Sequence, residues 1–519
     1  MIRKAEQLFQ KPLYCYIAVF IISLVFYVST CAPGVLWQDS GMIQYRVYNN
    51  DIEGRLGLAL SHPLYYIIAI GFKNLPFGEL AFKVNLVSAI SGAFAVSNLF
   101  LLLRLWFGRL FAALTGALSL AVSHTFWQHS CMAETYVLFS ALFLAGQIAL
   151  LQYFKTGKVR WFYVLFCING LAISVHMLAS ISFVCYVGFG AYLLFAKRLT
   201  GKNIFIAACL WLVCASPYLF LIISNIMSSG DPVSVLASAV FGYGYKKDVL
   251  NLALGKKIVI ENIIFLLMNF PTPGLLLFFA GFKGLKKFSI CRSQSVILTS
   301  LAGLFFMFAF KYTIADRYTF FIPFYVLVSV FIGLGAESVL TRRPVKPMYV
   351  LILLFASMPI AVYFAAPYTA SKLYPSLGAR RQIPYRDSYK YFLHPWKTHE
   401  NGPERFALEA LTQCRPDSII LADGTTVYAL WYVQTIEGIR PDVKIVSKHG
   451  SYNGPVEYPE ERNFDKLLSC GSVYVVSAVK GYCPAWLLDN YEFVREGVLY
   501  EVKGRLRKLN NDQSGNHSQ

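Results

Sequence analysis

The chain has 519 residues, 56% of them hydrophobic and only 14% charged, with a mean hydropathy of +0.51. That composition excludes a soluble globular protein of this size and points to many membrane-spanning helices. The net charge of +19 does not signal nucleic acid, because Lys and Arg stand in the gaps between apolar runs, where the positive-inside rule places them.

In chain order, the first apolar run, 13–30, follows the basic residues Arg3, Lys4 and Lys11. It is long enough to span, and no clear small-x-small cleavage site precedes Trp37, so it is read as a retained helix and not as a signal peptide. Residues 62–75 form a shorter stretch, predicted as an interfacial or re-entrant helix. Further spans are predicted at about 83–105, 109–123, 135–154, 161–179, 181–196, 203–226, 259–281, 294–311, 318–337 and 347–366. The count is therefore about eleven spanning helices.

Charge then sets orientation. Arg104 and Arg109, Lys155 to Arg160, Lys197 to Lys202, Lys283 to Arg292, and Arg342 to Lys346 fill alternate gaps on the side of the N-terminus. That side is predicted to be cytoplasmic. Lys246, Lys247, Lys256 and Lys257 fall on the outer side, as an exception that a misplaced span or a need for positive charge there would explain.

After residue 366 the character changes. Short β-rich runs at 418–422, 443–446 and 472–476 alternate with amphipathic segments such as 402–413, which predicts a small α/β domain. An odd number of spans places it outside. The predicted organisation is a helical transmembrane catalytic domain over 1–366, an extracytoplasmic α/β domain over 367–503, and a disordered tail over 504–519. The 11 Cys are scattered without metal-ligand spacing. Cys414, Cys470 and Cys483 could include a disulfide if their domain is exported. No Walker-type or dinucleotide glycine motif appears, so nothing points to a nucleotide-driven machine.

This topology gathers acids and histidines on the outer face. Asp39 and His62 lie in the first outer loop, His124, His129 and Glu134 lie between the third and fourth spans, His176 lies near the outer end of the fifth, and Asp316-Arg317-Tyr318 opens the tenth. These are the residue types used for acid–base work and phosphate binding. Each also has a structural reading. Asp39 could cap a helix starting at Ser40. His62 could simply precede a helix with Pro63 at its first position. Glu134 could decorate a helix start, His176 could be a helix–helix contact, and Arg317 could snorkel to headgroups. His124 and His129, five apart, fit a metal pair poorly.

Several segments resemble one known family. Pro33-Gly34-Val35-Leu36-Trp37-Gln38-Asp39-Ser40-Gly41 is similar to the first-loop motif of GT-C type membrane glycosyltransferases. It is nearest to the group related to the animal transmembrane protein O-mannosyltransferase that modifies receptor domains, and to its bacterial relatives. Leu60-Ser61-His62-Pro63-Leu64-Tyr65 resembles that group's His-Pro segment, in a form shortened from the usual His-Pro-Pro-Gly-Tyr-Pro-Leu. Residues 81–89, the Ala133-Glu134-Thr135-Tyr136 stretch, the segment from Gly170 to His176, and Arg440-Pro441-Asp442-Val443 resemble further segments of the same group.

The resemblance implies a polytopic α-helical protein that transfers a sugar, with mannose as the candidate, from a polyprenyl-phosphate carrier to an acceptor hydroxyl outside the cytoplasm. Ser or Thr of an exported protein is the expected acceptor, with a lipid or glycan as the alternative. Asp39 is the expected general base. Arg317 is the leading phosphate clamp, with Lys246, Lys247 or Arg46 as alternatives, and His62, Glu134, His176 and Tyr318 are expected to shape the sugar and acceptor pocket. The partners expected are the donor lipid, the acceptor and membrane lipids, without nucleic acid. No cofactor or metal is expected beyond the lipid-linked sugar. A bacterial inner membrane is the expected location, with an endoplasmic reticulum membrane as the alternative. A secondary transporter is the rival from another class; it would call for broken helices and ionisable residues near the midplane.

Overall fold

The computed structural model describes residues 12–249, 251, 255–314, 316–342, 345–373, 383–448 and 458–506. Arg3, Lys4, Lys11, Arg343 and residues 507–519 of the expected tail lie outside the described residues. The chain divides into two compact units. One comprises 1–34, 46–375 and 389–399; the other comprises 35–45, 376–388 and 400–519.

The first unit is helical. Among its described residues, six apolar stretches are long enough to cross a membrane: Pro12–Ser29, Leu80–Phe107, Tyr136–Thr156, Arg292–Lys311, Arg317–Arg342 and Lys346–Leu373. Up to nine result if three bent helix pairs each count as one span. This is fewer than eleven for an identifiable reason. Two expected spans, 203–226 and 259–281, are broken, between Cys214 and Ser216 (73°) and between Asn269 and Pro273 (102°), and a third bend, between Ala121 and His124 (71°), closes the expected span 109–123. Pro217 and the pair Pro271 and Pro273 stand at two of these breaks, where a ring without an N–H cannot continue the helical ladder. Val159–Val175 and Ala179–Phe195 match two other expected spans, at 17 residues each. The re-entrant candidate is the 11-residue helix Pro63–Lys73, too short to cross.

The helix Ile322–Arg342 is the axis of this unit, and 94% of its apolar window is buried. Small residues let its neighbours approach to backbone contact, which is how spanning helices associate where no hydrophobic force separates lipid from side chain. A Cβ added to Gly281 would lie 2.8 Å from the carbonyl carbon of Phe331, and one added to Gly333 would lie 3.2 Å from the carbonyl oxygen of Ala112. By contrast Pro12–Ser29 is only 17% buried, and its Ile21, Ile22 and Val25 are exposed, as a lipid-facing helix requires.

The two ends of this helical unit differ chemically. At one end the Lys155 ammonium donates to the carbonyl of Leu105, the Trp106 indole donates to the carbonyl of Phe288 (2.9 Å), and Arg109 pairs with Glu337 (2.9 Å). The basic loops predicted to share a side thus do meet at one end. The histidines and the acid Glu134 lie at the other.

The second unit is α/β, as expected. Its five-stranded sheet has the order β2-β1-β3-β5-β4, where β1 is Ile419–Leu421, β2 Lys444–Val446, β3 Val473–Val475, β4 Tyr491–Glu496 and β5 Leu499–Arg505. β2, β1 and β3 run parallel, with Ile420 opposite both Ile445 and Tyr474. β5 turns antiparallel on β3, with Tyr474 opposite Glu501. The three parallel strands are the three runs read from the sequence; the β4–β5 hairpin is additional and continues to Arg505. Leu421, Val446, Val473, Val475, Phe464 and Leu487 form the core. Every residue from Val427 to Gln434 is buried, so the helix Val427–Ile436 is an internal one.

All eleven cysteines are free thiols, which corrects the expectation of a disulfide among Cys414, Cys470 and Cys483. Cys414 donates to the carbonyl of Ala410 (3.0 Å), and burial pushes its thiol up to about 11. Cys470 is exposed while Cys414 and Cys483 are buried.

Candidate active site

Asp39 belongs to the α/β unit. It is exposed and lies in the first turn of the helix Gln38–Tyr48, so the helix begins one residue before it and the N-cap expectation fails. A carboxylate there meets the positive end of the helix dipole. Its surroundings are built by the residues before it. Trp37 is fully buried, donates from Nε1 to Glu400 Oε1 (3.2 Å) and packs on Phe406. Gln38 adopts a positive φ of 57°, donates its backbone N–H to the carbonyl of Thr425 (3.2 Å), and accepts from Arg386 Nη2 (3.2 Å). Thr425 follows β1, and the Asp423 carboxylate accepts from the Thr425 N–H (3.0 Å) and the Thr426 hydroxyl (2.9 Å). In open sheets of this kind the carboxyl ends of parallel strands are where ligands gather. The WQDS segment is therefore fixed to that edge of the sheet.

The remaining candidates lie in the helical unit and form one connected group. His62 takes a left-handed backbone, φ 53°, a conformation in which His is uncommon. Its Nδ1 lies 2.7 Å from the carbonyl of Val175. A carbonyl only accepts, so the proton sits on Nδ1. His176 has the opposite tautomer when neutral: its Nδ1 accepts from the N–H of Leu178 (3.1 Å), which leaves the proton on Nε2. The two rings lie 4.9 Å apart. His176 also packs on Tyr136 at 4.7 Å, and Tyr136 on His129 at 5.4 Å. His129 lies 3.8 Å from the Glu134 carboxylate and 6.4 Å from the Tyr318 ring.

Glu134 is placed by Ser88. The Ser88 hydroxyl donates to the Glu134 carbonyl (3.1 Å), accepts from its N–H (3.0 Å), and shares a hydrogen bond with the Tyr65 hydroxyl (3.1 Å). Arg317 is buried. It is ion-paired with Glu261, and its guanidinium stands 5.5 Å from the Phe265 ring, on which Tyr318 also packs at 6.0 Å. The structure thus draws His62, Glu134, His176, Arg317 and Tyr318 into one chain of contacts.

It also separates Arg317 from its competitors. Arg46 is buried, pairs with Asp51 (3.4 Å), donates to the carbonyl of Ser61 (3.3 Å) and lies on the Tyr66 ring at 3.8 Å. A Cβ on Gly54 would strike its guanidinium at 2.7 Å. Arg46 is thus held within its own loop, next to the site through its field on His62. Lys246 and Lys247 are exposed in the four-residue helix Lys246–Val249.

Tyr136, His129 and Glu261 were not among the residues singled out from sequence for the pocket. Tyr136 carried a signal, since it closes the Ala-Glu-x-Tyr segment. Glu261 carried none, because its partner lies 56 residues away.

Other segments of the resemblance are structural ties. Asn85 donates to the carbonyls of Ala32 (3.1 Å) and Gly34 (3.3 Å). Arg440 binds Asp442 in two-pronged fashion (2.9 and 2.7 Å) and donates to the carbonyls of Leu411, Cys414 and Arg415, which closes the end of the helix Gly402–Gln413. The guanidinium holds the Asp442 carboxyl down at about 2.

Family and structural comparisons agree with this architecture. Residues 59–201 match the N-terminal domain of the protein O-mannosyl-transferase TMEM260, and residues 403–450 match TMEM260-associated domain 2. The first match contains His62, Glu134 and His176; Asp39, Arg317 and Tyr318 lie outside both. A search of curated proteins finds no match. Among solved structures, the chain resembles ArnT from Cupriavidus metallidurans bound to undecaprenyl phosphate, with a TM-score of 0.60 and 14% identity over 94% of this chain and 97% of that one. ArnT in the apo state gives 0.58 and 13% over the same shares. The archaeal oligosaccharyltransferase AglB from Archaeoglobus fulgidus, in complex with an inhibitory peptide and a dolichol-phosphate, gives 0.45 and 14% over 83% of this chain and 64% of that one. At such identities the ArnT likeness is one of fold.

The domain matches and the ArnT-like fold together make the chain similar to multi-pass membrane glycosyltransferases. The family likeness is to the TMEM260 protein O-mannosyl-transferase, over two segments that together make up less than half of the chain.

Proposed function

We propose that this enzyme moves a mannosyl group from a polyprenyl-phosphate carrier to the hydroxyl of a Ser or Thr in an exported protein, on the extracytoplasmic face. The observation that carries the reading is the O-mannosyltransferase domain match over 59–201, which falls on the stretch that supplies His62, Glu134 and His176. The undecaprenyl phosphate bound by the fold neighbour ArnT supports the class of donor.

In this reading the Asp39 carboxylate takes the proton of the acceptor hydroxyl. The oxygen forms a bond to the anomeric carbon as the bond from that carbon to the phosphate oxygen breaks, and polyprenyl phosphate leaves as an anion. Arg317 is the cation assigned to that phosphate, because a guanidinium can grip it bidentately. Its pairing with the part-exposed Glu261 means that the phosphate replaces one carboxylate by another anion. His62, His176 and Glu134 shape the sugar and acceptor pocket, with Tyr318 beside them. The N-terminus is cytoplasmic and the α/β unit extracytoplasmic, in a bacterial inner membrane.

The test is to supply the purified enzyme with polyprenyl-phosphate mannose and an exported Ser/Thr-rich polypeptide, and to weigh the product. Addition of one hexose to the polypeptide is expected. Accumulation of a solute in proteoliposomes without any covalent product would contradict the reading, and a hexose found only on lipid or glycan would overturn the acceptor.

A further inference from the structure

The helices Val159–Val175, Ala179–Phe195 and Gly201–Cys214 leave a cleft of about 350 Å³ between them. Its walls are hydrocarbon: Phe162, Phe166, Phe183, Leu194, Ile204 and Trp211 line it among others. The volume suits a small ligand, since binding pockets run to roughly 300–1,000 Å³. The walls nonetheless offer almost no polar group to orient one, so an occupant held there has an apolar body.

The rim is the opposite. Between Thr135 and Gly230 the chain contains no Asp or Glu, yet it contains Lys155, Lys158, Arg160, Lys197, Arg198 and Lys202. All six are exposed; five stand at or next to the ends of the helices that line the cleft, and Lys155 ends the preceding helix Tyr136–Thr156. Arg160 immediately precedes this wall at Phe162, Lys197 follows it after Leu194, and Lys202 precedes Ile204. Among the described residues none of the six forms an ion pair, whereas Arg109 at the same end is neutralised by Glu337. The positive-inside rule accounts for the cations alone. It does not account for an apolar cleft opening at their feet. A basic pocket between spanning helices is an arrangement that holds anionic headgroups.

We propose that this cleft binds an anionic glycerophospholipid, with an acyl chain between the three helices and the headgroup phosphate on the basic rim. The site lies at the opposite end of the helical unit from the histidine cluster and is independent of the sugar-transfer reading.

Trp211 makes the proposal testable, because it lines the cleft, stacking on Phe183 at 4.7 Å. The full chain is reconstituted in phosphatidylcholine vesicles with rising fractions of brominated phosphatidylglycerol or brominated phosphatidylcholine. The difference between wild type and Trp211→Phe isolates the Trp211 fluorescence. The anionic lipid is expected to quench it at several-fold lower fraction than the zwitterionic one. Changing Lys197, Arg198 and Lys202 to Gln should weaken that preference by about fivefold per cation. The matching Gln variant of Lys283, Lys286 and Lys287 should leave it unchanged. Ala208→Phe, which fills the cleft without altering charge, should abolish the quenching. Equal quenching by the two lipids, an equal response of both triple variants, or retained preference in Ala208→Phe would overturn the proposal. So would displacement of the brominated lipid by equimolar polyprenyl phosphate, which would assign the cleft to the donor.

Discussion

Trp37 shows how much of the candidate site depends on a single buried side chain. Its indole is fully enclosed in the α/β unit, bonded to Glu400 across 363 residues of sequence and packed on Phe406. Trp37→Ala would leave a cavity and remove the indole bond to Glu400 (3.2 Å), at a cost of about 3–5 kcal/mol. A marked drop in the melting temperature of the full chain in detergent is the expected outcome, and an unchanged melt would contradict this account of the WQDS segment. Arg440 and Asp442 make a second prediction at this scale. The Asp442 carboxyl is held at about 2, below its ordinary value of about 3.9. A depressed acid contributes stability that is complete above its ordinary value and is lost as pH falls toward the folded value. Acid titration by circular dichroism should show the stability of the α/β unit falling between about pH 4 and about 2, with a smaller fall in Asp442→Asn. His62, Glu134, His176, Arg317 and Tyr318, picked out in the sequence by residue type and topology, join one contact chain. The roles of Asn85 and Arg440 were not legible, because a tie between backbone carbonyls leaves no pattern in the residue types that form it.

At the scale of elements, the helices were legible from hydropathy, and their breaks only from proline. Each predicted span has a helix on it, but 203–226 and 259–281 turn sharply at Ala215 and at Phe270-Pro271-Thr272. Hydropathy has no term for direction, so a continuous apolar window reads through a bend of 102°. The bend before His124 has no proline; the predicted span ends at 123, but the short helix His124–Ser130 that follows has no hydropathy signal of its own. Close approach of helices is likewise hidden in composition. Gly281 and Gly335 each face the other helix's backbone, at Phe331 and Leu277. Gly335→Leu would force Leu276–Phe288 away from Ile322–Arg342. Overpacking of this kind costs about 1–3 kcal/mol, read as lower thermal stability and lower yield of monodisperse protein. Gly303, with no atom near its absent Cβ, should tolerate Gly303→Ala without such loss, and equal loss in both variants would contradict the packing argument.

For the whole molecule, the chain order of the segments conceals which unit they belong to. Residues 35–45 lie between two helical stretches, yet they fold with the α/β unit, while residues 389–399 do the reverse. Composition marks a change near residue 366, whereas the helical unit runs to residue 375; the exchanges left no mark in composition, because they depend on contacts such as Gln38 with Thr425. The outcome is that Asp39 is presented by the α/β unit and the His, Glu and Tyr group by the helical one. The proposed sugar transfer requires Asp39 above all. The most direct measurement is therefore transfer of mannose from polyprenyl-phosphate mannose by Asp39→Asn, compared with wild type at equal folded concentration. Loss of a general base lowers the rate by about 10²–10⁴-fold, with the melting temperature unchanged because Asp39 is exposed. Turnover at the wild-type rate in the Asn variant would contradict the assignment.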